Sequence, residues 1–192
     1  MNAISQMITQ QLAGSASHQI ASRLGVSEGT AKMAVQLAVP LILSALARNA
    51  AQPEGAQALH QAVANDHDGG ILDNLMGYLG NPETANGAGI LGHVLGGQRG
   101  AVENNLAQAT GLDQNAAGSL MELVAPLVMG AVGRTQQQSG LDSSGLAQYL
   151  GEQQQQQAAA PGMMGMVSSM LDSNQDGNVA DDLARIAGKF LK

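Results

Sequence analysis

The sequence predicts an all-α protein, a helical bundle built from two duplicated helical units with no sheet. Three observations carry this. Of the 192 residues 44% are hydrophobic but only 2% aromatic, with no Trp, so the core has to be assembled from Leu, Ile, Val, Met and Ala. Sheet-rich folds draw instead on β-branched and aromatic residues. Two long, almost wholly apolar stretches, "AKMAVQLAVPLILSALA" and "AAGSLMELVAPLVMGAVG", each follow a helix-starting residue. The third observation is that these two stretches are copies of one pattern.

The pattern is ungapped over 29 residues. Residues 20–48 align with 106–134, placing Gly25 over Gly111, Ala31 over Ala117, Leu37 over Leu123, Pro40 over Pro126, Leu41 over Leu127, Ala45 over Ala131 and Arg48 over Arg134. A second pair, "DGGILDNL" from Asp68 and "DGNVADDL" from Asp176, shares the form DG, any residue, aliphatic, any residue, Asp, Asp or Asn, Leu. The expected organisation is a first unit over 1–100, ending in a glycine-rich connecting helix, and a second over 101–192. The second unit contains a Gln-rich stretch at 152–162 ("EQQQQQAAAPG"), read as a linker or a frayed helix end, and a C-terminal helix.

Each element follows from local chemistry. A helix ends at Gly25 and again at Gly111, because glycine accepts the left-handed conformation that closes a helix. A new helix opens at Ser27 and at Asp113, whose side chains satisfy free N–H groups of the first turn. It runs into an apolar segment where Pro40 or Pro126 kinks it or starts another helix, since proline brings no N–H. A helix that is apolar on nearly every side belongs inside. In "GAGILGHVLGGQRG" (87–100), a helix would place Gly89, Gly92 and Gly96 on one face, open to close approach by another helix. A phosphate loop is set aside, because no strand precedes the segment and no GK[ST] follows. The methionines of "GMMGMVSSM", among them Met163, Met166 and Met170, read as adaptable core or, less readily, as a partner surface.

These motifs resemble a known family. "QIASRLGVSEGTAKMAVQLAVPLILSALARN", "DHDGGILDNL", "GAGILGHVLGG" and "MELVAPLVMGAVGR" together are similar to the bacterial YidB-like proteins, grouped as domain-of-unknown-function family number 937. "GILGHVLGG" is the most specific of them. The resemblance implies an all-helical bundle of bacterial origin and no established activity.

The segment "QIASRLGVSEGTAKMAV" also has the spacing of a DNA-reading helix-turn-helix. The second helix of such a motif presents polar and basic side chains to the major groove. Here Lys32 is its only cation, and the matching helix after Asp113 has none before Pro126. The net charge of -7, with only 8 Lys and Arg, likewise disfavours phosphate backbones and anionic membranes. The turn therefore reads as packing geometry, and a divergent DNA-binding regulator is the second choice for function.

With no Cys, thiolate catalysis and cysteine-type zinc sites are excluded. The sharpest metal signal is "DSNQDGNVADD". Asp172, Asn174 and Asp176 stand at positions 1, 3 and 5 of a calcium loop with Gly177 at position 6, and Asn178 and Asp182 are further oxygen donors. Position 12 is Leu183 rather than the bidentate Glu, so Asp181 or Asp182 would have to close the site, and calcium competes with a simple DG turn and an Asp helix cap. The first copy, "ANDHDGGILDN", keeps the turn but begins with Ala64. Calcium is the one cofactor for which the sequence offers a site. His60 and His67 with Asp66 and Asp68 match no ligand spacing, and His93 is expected to be buried with a ring nitrogen bonded to a carbonyl. No nucleophile, base and orienting group can be named together, and Ser17 beside His18 is not a triad.

The expected function is therefore non-enzymatic: a protein that associates with itself as a homo-oligomer, or with another protein, with Gly89, Gly92, Gly96 and the three methionines as contact candidates. No signal peptide is read in "MNAISQMITQQLAG". The apolar run Leu37–Ala47 is too short to span a bilayer, so no membrane span and a cytoplasmic location are expected.

Overall fold

The computed structural model describes residues 3–12 and 14–158, and no strand occurs among them. The helices are α1 (Ala3–Gln11), α2 (Ser15–Leu24), α3 (Glu28–Ala50), α4 (Pro53–Asn65), α5 (Gly70–Asp73), α6 (Leu75–Gly80), α7 (Gly87–Leu95), α8 (Arg99–Thr110), α9 (Gln114–Ser139) and α10 (Ser143–Ala158). Short 3-10 turns at Pro82–Ala85 and Gly96–Gln98 flank α7. Residues Asn2–Gln154 form one compact unit.

The boundaries lie where local chemistry puts them. Gly25 (φ 68°) ends α2 with two capping bonds, from its own N–H to the Ser22 carbonyl and from the Val26 N–H to the Ala21 carbonyl. That double bond is the Schellman arrangement, and the left-handed glycine is what permits it. Gly111 (φ 73°) closes α8. The Ser27 hydroxyl accepts from the Thr30 N–H at 3.0 Å to open α3, and the Asp113 carboxylate accepts from the Ala116 N–H at 2.9 Å to open α9.

α3 and α9 pack against each other and organise the rest. α1 lies on both, α2 on α3, and α4, α5, α7 and α8 on α9. α9 is enclosed, with Ala116–Met121 and Leu123–Gly133 buried apart from Ser119. The remaining core is aliphatic: Ile4, Ile8, Ile20, Ile42, Leu79, Leu91, Leu106 and Leu146 are each no more than 1% exposed. With Tyr78 as its one buried ring among the described residues, such a core fills space through many small interlocking contacts.

Both helices continue through their prolines. Proline leaves the carbonyl four residues back without its helical donor. For Pro126 that carbonyl belongs to Glu122, and Gly87 of α7 is pressed directly onto it: a Cβ added at Gly87 would fall 1.8 Å from the oxygen. One residue on, the Leu123 carbonyl accepts the Tyr78 hydroxyl at 2.7 Å. The opened turn is thus covered by α6 and α7. Pro40 is only partly buried, on the less enclosed of the two helices.

Two expectations are sharpened at this level. The run Leu37–Ala47 is short, but the helices that contain it and its counterpart, of 23 and 26 residues, are long and apolar enough to cross a membrane by length and composition. In the fold, 56% and 83% of their apolar windows lie inside the protein. The Gln-rich tract begins within a helix, because α10 extends through Ala158 and Gln and Ala are good helix formers. The rest of that tract and the C-terminal helix read from the sequence lie outside the described residues.

Candidate functional site

The two segments that best mark the resemblance, "DHDGGILDNL" and "GAGILGHVLGG", come together on one side of α9. The first is laid along the helix backbone by two glycines. A Cβ at Gly133 would stand 1.8 Å from the His67 carbonyl oxygen, and one at Gly130 would stand 2.6 Å from a methyl of Ile71. Only glycine permits an approach this close. The next residue after Gly133 secures the turn: Arg134 Nη2 donates to the Gly69 carbonyl at 2.8 Å and pairs with Asp73 at 2.7 Å. Within the turn Gly69 has φ 96°, and the Asp68 carboxylate accepts from the Gly70 N–H at 2.9 Å. The DG motif at Asp68 is therefore a capped turn, as Ala64 before it suggested.

The second segment is held from three sides. Asn49, at the end of α3, donates to the Val94 carbonyl at 3.0 Å in the last turn of α7. Asn86, itself left-handed at φ 49°, accepts from the Gly89 N–H at 3.3 Å and opens α7. Arg99 Nη1 reaches the Ala88 carbonyl at 3.4 Å while its other nitrogens engage Glu103, at 2.6 Å, and Glu122. The hydrogen bond to Glu103, then that to Glu122, raises the Arg99 pKa above its ordinary value, keeping the guanidinium charged.

Between these segments and the α3–α4 corner lies a two-part groove. The apolar part, about 680 Å³, is lined by Leu46, Leu59, Ala62, Ile90, Val94 and Met129, with Arg48, Asn49, Gln52 and His93 also at its walls. The polar part, about 770 Å³, is lined by Asp68, Asn74, Asn81 and Thr84 over Ile71 and Tyr78. Asp66, His67, Asn86 and Ile90 border both. No Lys or Arg lines the polar part. Burial lowers the pKa of the half-buried His67, against the opposing pull of Asp66, so its ring is neutral at pH 7. Tyr78 lies beneath with its pKa raised by burial, and its hydroxyl stays a donor.

Three comparisons bear on identity. A family model described as "Bacterial protein of unknown function (DUF937)" matches residues 6–135. The chain belongs to that family. The match spans α2 to α9 almost entire, and includes both sides of the groove and the α9 glycines beneath it. Its number is the one that the motifs pointed to. No curated protein and no solved structure matches the chain.

The residues singled out from the sequence are placed unevenly. Gly89 and Gly92 lie on α7, but Gly96 (φ 52°) ends that helix instead of extending its face. A Cβ at Gly92 or Gly96 would meet nothing within 4 Å, whereas one at Gly89 would strike the Asn86 side chain. The glycine of this segment that brings helices together is Gly87. His93 is a correction: it is exposed, because α7 buries Gly87, Leu91 and Leu95 and so turns position 93 outward. His60 is partly buried, 3.2 Å from Gln136 Nε2. Ser17 donates to the Gly14 carbonyl, and His18 pairs with Glu28. Among the described residues no group of three or more His, Asp or Glu is placed to hold a metal ion. The calcium candidates Asp172, Asn174, Asp176, Asn178 and Asp182, and Met163, Met166 and Met170, lie outside the described residues.

Sequence reasoning missed Gly87, Gly130, Gly133 and the role of Arg134. The repeat did put Arg134 in register with Arg48, and the spacing G-x-x-G-R at the end of an apolar helix was the available signal.

Proposed function

We propose that the protein is a non-enzymatic association module, binding a second copy of itself or another protein through the groove between α3, α4 and α7. The observation that carries this reading is the apolar part of the groove, where Ile90 and Val94 stay partly exposed beside the buried Leu59. Partly exposed aliphatic side chains lining one concavity are a common mark of a contact surface. The helix-turn-helix segment supports the same reading. α3 buries Ala31, Ala34, Val35 and Ala38, and Lys32 stands 3.8 Å from Glu28, so this helix is engaged in packing.

The test is light scattering across a range of protein concentration, together with capture of partners on immobilised protein. Ile90→Glu serves as the comparison, with circular dichroism checking its fold. Assembly or capture that Ile90→Glu removes supports the reading. A protein that stays monomeric and retains nothing that the variant does not also retain overturns it.

A further inference from the structure

A separate cavity of about 280 Å³ lies between α1, α2 and α3 and shares no lining residue with either part of the groove. Its interior is formed by Leu12, Ile20, Ala31 and Val35, each at most 4% exposed. The buried Ser17 joins them, but its hydroxyl already donates to the Gly14 carbonyl at 2.7 Å. Water finds few bonding partners on such walls. An apolar molecule, by contrast, would restore the close contacts that the rest of the aliphatic core makes.

The mouth has a different character. Of the lining residues, Thr9 is half-buried and Lys32 and Gln36 are exposed, so these three mark the side that opens to solvent. Lys32 and Gln36 stand one turn apart on α3, next in sequence to the wall residues Ala31 and Val35. All three rim side chains can donate a hydrogen bond, one of them is a cation, and among the described residues no Asp or Glu lines the cavity. Glu28 stands 3.8 Å from Lys32 Nζ, and its other oxygen is 2.9 Å from His18 Nδ1. At 3.8 Å no hydrogen bond is made, so the ammonium keeps its protons for another acceptor.

Apolar walls under a rim of donors suit an anion with an aliphatic tail. An apolar cavity of roughly 150 Å³ takes up benzene, so this one accommodates a chain of roughly eight carbons. We propose that the cavity binds a small straight-chain carboxylic acid, its tail among Leu12, Ile20 and Val35 and its carboxylate on Lys32. The site is independent of the association reading above.

The experiment is calorimetric titration of the full chain with octanoate, and with octanol as its neutral counterpart. The same titrations are run on Lys32→Gln and on Ala31→Leu, which fills the cavity. The expected result is saturable octanoate binding that Lys32→Gln weakens on the order of tenfold. Octanol should bind more weakly than octanoate and equally to the protein and to Lys32→Gln, and Ala31→Leu should lose both ligands. Methyl NMR spectra of the unaltered protein should show octanoate shifting Leu12, Ile20 and Val35. Lys32 is exposed, so its variant and the methyl shifts decide the matter even if Ala31→Leu fails to fold. No saturable binding overturns the proposal. Octanoate affinity that Lys32→Gln leaves unchanged removes the carboxylate from it, and shifts at Ile90 and Val94 instead would place the ligand in the groove; either result overturns it as well.

Discussion

At the scale of single residues, the groove wall depends on missing side chains. Gly133→Ala would put a methyl 1.8 Å from the His67 carbonyl oxygen, a backbone atom that cannot rotate aside. We expect a loss of ~1–3 kcal/mol, read as a lower urea midpoint. Gly92→Ala is the counterpart: it meets open space within α7, and replacing a mid-helix glycine should add ~0.5–1 kcal/mol. Tyr78→Phe leaves the Leu123 carbonyl without its 2.7 Å donor and should cost ~1–2 kcal/mol. His67 brings a pH dependence. Its folded pKa is lowered by burial below the ordinary 6.5, so the unfolded chain takes up the proton first. Its contribution to stability is complete above pH 6.5 and is lost as the pH falls through the lowered folded value. Thermal melts of the protein and of His67→Gln should converge in slope above that pH and diverge below it. The sequence showed these residues but not their roles, because what a glycine touches is a non-local fact.

At the scale of elements, the sequence was most legible. The ends of α2 and the starts of α3 and α9 lie within a residue or two of where Gly25, Ser27 and Asp113 put them. Capping acts between residues at most five apart, so no tertiary knowledge is needed to see it. Ser27→Ala and Asp113→Ala should each cost ~1 kcal/mol, visible as lower denaturation midpoints with unchanged slope. The prolines were harder. Their missing N–H was evident, but whether the helix breaks or continues depends on what covers the opened turn, and at Pro126 that cover comes from Gly87 over the Glu122 carbonyl and from Tyr78 on the Leu123 carbonyl, both distant in sequence. His93 was misplaced for a related reason: a nine-residue, largely apolar helix gives little indication of which side faces the core.

At the scale of the molecule, Arg134 ties the DG turn to the central helix, so Arg134→Met should loosen 68–75 before the bundle as a whole. Hydrogen exchange should show faster amides there while α9 stays protected; uniform loss of protection would show the pair to be part of the global fold. Composition and apolar pattern determined that the protein is helical, that its core is largely aliphatic, and that the helices carrying Pro40 and Pro126 lie inside. Those properties follow from propensity, capping and burial, which act residue by residue along the chain. That these two helices, α3 and α9, pack against each other was decided by the tertiary structure. The tertiary structure alone decided that the two glycine-rich segments meet and that Gly130 and Gly133 make room for one of them. It also decided that an apolar and a polar concavity share a wall at Asp66 and His67. A groove is made by surfaces distant in sequence, and its shape exists only once the helices have packed.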